Sequence, residues 1–381
     1  MAATTFWGML AIVVYVYAGF PLLVWLVSRL HPRQVRKHPV PPPTVSFIIA
    51  AYNEERSIAK KLANTFALEY PADRLEILVV SDGSSDRTEE IVRAEGGGRV
   101  KLLALGSRNG KTIAQNRAVE SATGEIVVFS DATTVYEPRC LRALVSNFAD
   151  PEVGAATGWV VMGADPDATM QKGRSAYTDY DQWLRSCEAK VHSVVGTAGC
   201  IAALRRELFR PLPADVDADV AEALEVSAQG YRVVFEDDAV VYEAGESGSV
   251  REELERRTRV IARGLRGYWY ARRVFHPLRH PWFFLDLLSH RLLRWAVPVL
   301  LAIAFLANLA LLGDPVYVVT LLAQVAFYGT AAVGYVLERR QVRAPGLFIP
   351  LYFCVVNLAP LLAVRQLYRG RTTAVWETGR S

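Results

Sequence analysis

The chain has 381 residues, of which 51% are hydrophobic, and a formal net charge of +4. This length accommodates one α/β domain of about 220 residues with further segments beside it. The hydrophobic share is high for a soluble protein, so membrane segments are expected. Because the α/β part of the chain has no basic stripe with stacking aromatic residues, nucleic acid is not expected as a partner. The four cysteines lack metal-ligand spacing, which suits a reducing compartment.

Four apolar stretches lie near the two ends of the chain, too many to explain as buried core helices. They are residues 6–27, 295–312, 316–337 and 347–364. The first three are long enough to span a bilayer as helices. Basic residues after the first stretch predict, by the positive-inside rule, that the polar middle of the chain is cytoplasmic. The fourth contains two prolines and is predicted to be re-entrant or interfacial, which keeps the basic C-terminal tail in the cytoplasm.

Strand-like and helix-like runs alternate through the polar middle of the chain. Predicted strands cover residues 45–51, 76–80, 100–105 and 125–131, and predicted helices cover residues 54–69, 87–94 and 112–121. This alternation predicts an α/β fold with a doubly wound, mostly parallel, Rossmann-like sheet. Further strands are predicted at residues 154–161, 200–204 and 232–235, and further helices around residues 177–191 and 219–228.

Two of the apolar strand runs lead into an aspartate, Asp82 and Asp131. Both runs are rich in β-branched residues without polar alternation, as in buried strands of a parallel sheet. Open α/β sheets bind ligands outside the carboxyl ends of their strands. A carboxylate there can hold a polar edge of a nucleotide, or a divalent cation that bridges its phosphates. The pair therefore indicates a nucleotide site.

The loop at residues 106–112 follows a predicted strand, precedes a helix and nearly matches a phosphate-binding P-loop. That loop requires four residues between its glycines, and only three separate Gly106 from Gly110. One residue fewer changes how many backbone N–H groups converge on a phosphate, which argues against an ATPase. Lys111 can still act as a point charge on a diphosphate.

Four motifs together resemble family 2 glycosyltransferases of the GT-A fold. They are Ala51-Tyr52-Asn53-Glu54, Asp82-Gly83-Ser84-Ser85-Asp86, Gly110-Lys111 and Ser130-Asp131-Ala132-Thr133. The resemblance covers about residues 44–265. The segments at residues 289–295 and 375–377 are similar to membrane-bound polysaccharide synthases of that family, in the branch of hyaluronan, poly-N-acetylglucosamine and cellulose synthases.

The resemblance implies a nucleotide site in which Tyr52, Glu54 and Asp82 hold the uracil and ribose of a UDP-sugar, with Ala50 beside them. It implies that Lys111 and Asp131 meet the diphosphate, Asp131 as a ligand of Mg²⁺ or Mn²⁺. The family often has a second acidic residue where this chain has Thr133. Because a hydroxyl is a poorer ligand than a carboxylate, a weaker metal site or a further ligand is expected.

The resemblance also implies a catalytic base for an inverting transfer at Asp219, with Asp217 as the runner-up, while helix capping explains one of the aspartates in this segment. The acceptor and diphosphate side is expected to include Trp183, Gly199, Arg256 and Arg259. Processive members of the family carry Gln-any-any-Arg-Trp, of which this chain keeps only the arginine. The missing tryptophan leaves processivity open.

The predicted organisation has six parts. These are a transmembrane helix (1–30), a proline-rich linker (31–43), the cytoplasmic GT-A domain (44–265), an amphipathic interfacial segment (266–291), C-terminal transmembrane helices (292–368) and a basic tail (369–381). Basic clusters that border the apolar segments make anionic membrane lipids an expected partner. The interfacial last segment would bring Trp376 and Glu377 back near the active site.

The sequence thus predicts a membrane-anchored hexosyltransferase of the bacterial inner membrane that uses a UDP-sugar for extracellular polysaccharide synthesis. Transfer to a polyprenyl-linked saccharide is the alternative within this class, so the acceptor is a saccharide or a lipid-linked one. A homo-oligomer is possible, because few membrane segments are available to enclose a polymer channel. A transporter with a nucleotide-binding domain is the alternative from another class, but its spans would carry few ionisable groups.

Overall fold

A mixed eight-stranded sheet forms the centre of the described part of the chain. The computed structural model describes residues 1–37, 41–163, 169–243, 249–278, 281–340, 342 and 346–370. The strands are β1 (Val45–Ala51), β2 (Leu75–Ser81), β3 (Val100–Ala104), β4 (Ile126–Asp131), β5 (Val135–Tyr136), β6 (Val153–Met162), β7 (Ala202–Arg205) and β8 (Arg232–Glu243). Their order in the sheet is β3-β2-β1-β4-β7-β6-β8-β5.

Helices cover both faces of the sheet and extend from it at both ends of the chain. They are α1 (Ala2–Val14), α2 (Phe20–Leu30), α3 (Ile58–Phe66), α4 (Thr88–Gly96), α5 (Lys111–Ser121), α6 (Cys140–Ser146), α7 (Thr169–Val191), α8 (Ala218–Ala228), α9 (Val250–Tyr270), α10 (Pro281–Asp286), α11 (Leu293–Leu309), α12 (Pro315–Arg339) and α13 (Phe348–Tyr368). Short π-helical segments join α1 to α2 and α10 to α11.

The first half of the sheet is parallel, which confirms the predicted fold class. β1 pairs in parallel with β2 and β4, and β2 pairs in parallel with β3. All seven residues of β1 are buried. Helix α3 packs on one face through Ile58 and Leu62, and α5 packs on the other through Ala114 and Ala118. A strand covered on both faces has to be apolar at nearly every position, and the hydroxyl of the polar exception, Ser46, donates to Glu76 and accepts from the Gly124 N–H.

The second half of the sheet is mixed. β7 runs antiparallel to both β4 and β6, whereas β6 and β8 are parallel to each other. β7 has only four residues and follows a loop. Its direction was not predictable, because a short apolar strand buries the same side chains in either orientation.

Two predicted boundaries of secondary-structure elements were wrong. The helix predicted from residue 54 begins at Ile58, since Asn53 adopts a φ of 53° and residues 54–57 form a turn. β8 extends to Glu243 rather than ending at residue 235. The predicted domain limits at residues 265 and 291 stay predictions; these two residues lie within α9 and within the helical segment that joins α10 to α11.

Four helical segments in the described residues are long and apolar enough to cross a membrane. They are Ala2–Leu30, Pro281–Leu309, Pro315–Arg339 and Phe348–Tyr368. The first and second lie close together, since the Tyr15 and Ser289 hydroxyls are 2.9 Å apart. The Arg294 guanidinium lies 5.9 Å from the Tyr17 ring centroid. The first two candidate membrane segments therefore contact each other through these residues.

Helix α13 packs along α9. Near its start, the Tyr352 hydroxyl donates to Glu253 of α9 over 3.0 Å, and near its end Ala363 packs with Ile261 and Ala262 of the same helix. Helix α9 carries charged residues along its length, so it does not lie inside the bilayer core. Helix α13 also packs against the candidate membrane helix α12, with 5.4 Å between the Phe353 and Phe327 ring centroids, and it is itself long and apolar enough to cross a membrane, so its interfacial placement stays a prediction.

The remaining face of α13 is apolar. Its members Leu358, Leu361 and Val364 are 45%, 43% and 58% exposed and follow one another at intervals of three residues. An interfacial helix with such a face lies in the membrane surface plane. The predicted return of Trp376 and Glu377 to the active site lies outside the described residues.

We predict that the end of α13 is on the same side of the membrane as the sheet domain. Arg369→Cys should resist an impermeant maleimide in intact cells and react after permeabilisation, because an interfacial helix leaves its end in the cytoplasm. Gly313→Cys, in the turn between α11 and α12, is the matched control and should react in intact cells. Labelling of both positions in intact cells would show that α13 spans the membrane.

Candidate active site

The carboxyl ends of β2, β1 and β4 lie side by side. Ala50 of β1 is in register with Val80 of β2 on one side and with Asp131 of β4 on the other. The backbone N–H of Asp82, just after β2, donates to the Ala51 carbonyl over 2.9 Å. The sheet therefore brings Ala50, Asp82 and Asp131 to one edge, where α/β folds bind ligands.

Asp82 is buried and holds the neighbouring loop in place. Its two carboxylate oxygens accept hydrogen bonds from the backbone N–H groups of Asn109 and Gly110, each over 2.8 Å. Gly83 has a φ of +70°, and a Cβ there would lie 2.7 Å from the Ser107 carbonyl carbon. The loop that resembles a P-loop thus directs N–H groups to a carboxylate of the protein. A contact between Asp82 and a nucleobase stays a prediction.

Tyr52 and Glu54 follow β1 and differ in their surroundings. The Arg108 guanidinium lies 3.9 Å from the Tyr52 ring centroid, so the two planar groups form a partly exposed stack. Glu54 is only 4% exposed and accepts a hydrogen bond from the Ser57 hydroxyl. Tyr52 is therefore the more accessible of the two for a nucleotide ring, while Glu54 stabilises the turn before α3.

Four groups converge at the edge of the sheet. The Lys111 ammonium lies 2.5 Å from Asp131 Oδ1, and it donates to the Gly199 carbonyl over 3.3 Å. A Cβ on Gly199 would lie 2.1 Å from Asp219 Oδ1, so only glycine allows this approach. Lys111, Asp131, Gly199 and Asp219 come from α5, β4, the loop before β7 and α8. The fold thus assembles a cation and two carboxylates from distant parts of the sequence.

The charges in this group stabilise one another. Burial alone would lower the pKa of Lys111, but the Asp131 charge and then the Asp219 charge outweigh it and raise that pKa. Lys111 therefore keeps its positive charge across the physiological pH range. A permanent cation beside two carboxylates is suited to binding an anionic leaving group.

The aspartates around α8 have different roles. Asp217 is the N-cap residue, Asp219 lies in the first turn, and the Thr197 N–H donates to the Asp219 carbonyl over 2.8 Å. Burial, and then the Asp219 charge, raise the pKa of Asp217 to about 7. Asp215 is exposed and pairs with Arg266 over 2.7 Å. The N-capping aspartate of the three is therefore Asp217.

The two predicted arginines lie on α9, beside the membrane helices. Arg256 pairs with Glu253 over 2.9 Å, and Arg259 is half-buried. At the end of β8, burial and then the Asp131 charge raise the pKa of Glu243, whereas Arg174 and Arg256 oppose this rise. The charges of Asp131 and of the arginines on α7 and α9 therefore all act on Glu243.

Trp183 lies on α7 near the first membrane helix. Its ring is 38% exposed and pairs with the Tyr180 ring at 6.2 Å between centroids. The Tyr180 hydroxyl donates to the Tyr17 carbonyl over 3.0 Å. The described contacts of Trp183 therefore belong to the junction with the membrane, and stacking on a sugar ring stays a prediction.

Sequence reasoning missed two residues of α3 that hold the segment after Asp131. The Lys61 ammonium is buried and donates to the Thr134 carbonyl over 2.7 Å, 4.4 Å from the Tyr136 ring centroid. Asn64 donates to the Tyr136 carbonyl over 2.9 Å and accepts from the Tyr136 N–H over 2.8 Å. Helical spacing from Ile58 would have identified Lys61 as an inward-facing residue.

The oxygen groups at this edge fit a hard divalent cation. Asp131 is a carboxylate at the ligand edge, and Thr133 supplies a hydroxyl oxygen nearby in sequence. Mg²⁺ is often held by one or two carboxylates together with substrate phosphates, and Mn²⁺ also prefers oxygen ligands. Because Lys111 contacts Asp131 Oδ1, such a cation would use the other oxygen or displace the lysine.

A second group of potential metal ligands lies elsewhere, at the junction between α7 and the second membrane segment. His290 Nδ1 lies 2.5 Å from Glu188 Oε1, and Asp286 is beside them. The other ring nitrogen of His290, Nε2, is 2.9 Å from Asp181, and Asp181 also pairs with Arg185 over 2.8 Å. Arg185, Arg291 and Arg294 all pair with Asp181, and no described ion pair joins an arginine to Glu188 or Asp286, so these two carboxylates with His290 form a second candidate cation site away from the sheet edge.

We predict that Lys61→Met destabilises the protein in a pH-dependent manner. Burial lowers the pKa of Lys61 to about 7. Between this value and the ordinary lysine pKa the unfolded chain binds more protons, so the wild type gains stability as pH rises through this range. Loss of the bond to the Thr134 carbonyl should cost about 1–3 kcal/mol.

The measurement is the melting temperature in detergent near pH 7 and near pH 9. The deficit of Lys61→Met relative to the wild type should be larger near pH 9. The exposed neighbour Lys60 provides the matched control, because Lys60→Met should melt like the wild type at both values. Equal deficits at both pH values would contradict a buried lysine of lowered pKa.

Similarity to known proteins agrees with this geometry. A poly-beta-1,6-N-acetyl-D-glucosamine synthase of Staphylococcus aureus (strain COL) is 25% identical over 244 residues, which are 58% of this chain and 57% of the relative. An N-acetylglucosaminyltransferase of Rhizobium meliloti (strain 1021) is 29% identical over 225 residues, 53% of this chain and 51% of the relative. The alignments thus span little more than half of these curated relatives.

One solved structure is similar over nearly the whole chain. It is a mannosyltransferase, PcManGT from Pyrobaculum calidifontis, in complex with GDP-Man and Mn²⁺, with a TM-score of 0.71 and 25% identity. The match covers 96% of this chain and 100% of that chain. Residues 46–212 match the family model described as glycosyl transferase family 2. The chain therefore contains a family 2 glycosyltransferase domain with the GT-A fold.

Proposed function

We propose that the protein is a membrane-anchored, inverting glycosyltransferase that moves a hexose from a UDP-sugar to a saccharide acceptor, for extracellular polysaccharide synthesis. The observation that carries this proposal is the convergence of Lys111, Asp131 and Asp219 around Gly199. It provides a cation for a leaving diphosphate and, across the glycine, a carboxylate for the attacking hydroxyl. The names of the curated relatives support the polysaccharide assignment.

The proposed reaction assigns one role to each charged group. The acceptor oxygen attacks the anomeric carbon, the bond from that carbon to the diphosphate oxygen breaks, and the nucleoside diphosphate leaves. Asp219 accepts the proton of the attacking hydroxyl as general base. Lys111 stabilises the charge that develops on the departing phosphate. A Mg²⁺ or Mn²⁺ ion held by Asp131 would supply further charge neutralisation for this group.

The location proposed for this chemistry is the cytoplasmic surface of the bacterial inner membrane. The candidate membrane helices extend from the sheet domain, and α13 packs against both α9 and α7 of this domain. An acceptor that is attached to a lipid, or a polymer that enters the membrane, would therefore pass close to Asp219. The basic segments beside these helices suit contact with anionic lipid headgroups.

Two observations favour a second candidate, the transfer of single sugars to a polyprenyl-linked saccharide. Val260 occupies the position of the tryptophan found in processive members and is 49% exposed, so no aromatic platform exists there. Arg174 and Arg256 lie close enough to Glu243 to influence its pKa, and Glu253 is the described acidic partner of Arg256. A surplus of positive charge on the side that faces the membrane helices would suit a lipid-linked phosphate.

The donor is the first property to test. UDP-N-acetylglucosamine, UDP-glucose and GDP-mannose should be compared for nucleotide release by the purified full chain in detergent. GDP-mannose is included because the solved mannosyltransferase, whose match covers 96% of this chain, is a complex with GDP-Man. We expect release from a UDP-sugar that depends on added acceptor. Release from GDP-mannose alone would transfer the proposal to that donor, and release from neither class would refute the function.

We predict that the size of the product separates the two acceptors. Incubation with donor in native membranes should yield long chains if the protein is a polymer synthase. A product that contains a single added sugar and partitions into organic solvent would instead establish the lipid-linked acceptor. Sizing by gel filtration after solvent extraction distinguishes them in one experiment.

We predict that Asp219→Asn lowers the rate of transfer by about a hundredfold or more, since this is the usual contribution of a general base. Its affinity for UDP should remain that of the wild type, because the substitution preserves shape. Asp215→Asn is the matched control, as Asp215 is exposed and pairs with Arg266 instead. Near-normal turnover of Asp219→Asn would assign the base to Asp217.

A further inference from the structure

The contact between Lys111 and Asp131 occupies the carboxylate that a divalent cation would need. The Lys111 ammonium lies 2.5 Å from Asp131 Oδ1, and the two side chains are only 18% and 19% exposed. Asp131 Oδ1 is itself inaccessible to solvent, and the described residues offer it no hydrogen-bond partner apart from this ion pair. Lys111 therefore neutralises the carboxylate at the ligand edge.

The surrounding residues make this competition severe. Thr133 stands where a second carboxylate would strengthen a cation site, so Asp131 is the acidic residue of this short segment. If a cation displaced Lys111, the ammonium would keep its contact with the neutral Gly199 carbonyl at 3.3 Å and the attraction of the Asp219 charge, which acts on it less strongly than the Asp131 charge. It would also remain close to the added positive charges. Repulsion between like charges at short range in a partly buried site is unfavourable.

A diphosphate removes this obstacle. Its oxygens offer the displaced ammonium a new anionic partner and offer the cation further ligands. Cation and diphosphate would then favour each other's binding, and this coupling is reciprocal by thermodynamic linkage. The proposed exchange moves the Lys111 side chain, which lies at the start of α5.

We propose that Lys111 acts as a built-in competitor for the cation, so that Mg²⁺ or Mn²⁺ binds to Asp131 only together with a nucleoside diphosphate. This inference rests on the proposed function for the identity of the site. It adds an order of binding that the fold alone does not imply. The free enzyme is neutralised by its own lysine, and the cation arrives with the donor.

The test is the binding of Mn²⁺ to the purified full chain, followed by the loss of the electron paramagnetic resonance signal of aqueous Mn²⁺. For the wild type, UDP or GDP should strengthen Mn²⁺ binding by about tenfold or more, within the usual range of coupling between ligands. Lys111→Gln should bind Mn²⁺ alone about tenfold more tightly than the wild type. The gain should disappear in Lys111→Gln combined with Asp131→Asn.

Two further variants serve as controls. Lys111→Arg keeps the positive charge and should exclude Mn²⁺ as the wild type does. Lys101→Gln removes an exposed lysine from β3 and should change nothing. Melting temperatures verify that each variant is folded. If Lys111→Gln does not fold, the test is the effect of nucleotide on Mn²⁺ binding by the wild type and by Lys111→Arg. Equal Mn²⁺ affinity of the wild type with and without nucleotide would overturn the proposal.

The result is separable from the proposed function. If neither UDP nor GDP binds under any condition, the glycosyltransferase site itself is wrong. If a nucleotide binds but Lys111→Gln gains no affinity for Mn²⁺, only the competition between lysine and cation is refuted.

Discussion

The parallel register of β1 between β2 and β4 is the constraint on which the site depends. Parallel pairing places the carboxyl ends of all three strands at one edge, with Ala50 directly beside Asp131. The connections that return to this edge carry Asp82 and Lys111. Because these strands are covered on both faces, their buried middle positions do not accommodate charged side chains. The charged residues are therefore confined to the strand ends. The chemistry is therefore a consequence of topology.

The first half of this topology could be predicted from the sequence, and the second half could not. Runs of β-branched residues that end at Asp82 and Asp131 indicate parallel strands, because only such strands are apolar throughout. β7 was located, but not its direction. The membrane-facing helix α9 reads as a charged surface helix in sequence, and its buried contacts with α13 depend on residues about a hundred positions away.

For the site, the sequence identified residue types and not their partners. Asp82 was predicted to face a nucleotide, which stays a prediction, and the sequence did not indicate that its carboxylate also anchors the loop at Asn109 and Gly110. Lys61 was missed because a lysine inside a helix is normally exposed, and only its position relative to Ile58 indicated burial. The approach of Gly199 to Asp219 could not be predicted either, because a glycine has no side chain whose type would indicate a neighbour.

The account makes one central claim: the edge formed by Asp131, Lys111 and Asp219 is where a nucleotide-sugar reacts. A structure of the full chain with a nucleoside diphosphate and Mn²⁺ tests it most directly. The account predicts the diphosphate within hydrogen-bond distance of Lys111, the cation against Asp131, and the Asp219 carboxylate open on the acceptor side. A nucleotide bound away from these residues, or a cation held by Glu188 and His290 instead, would contradict it.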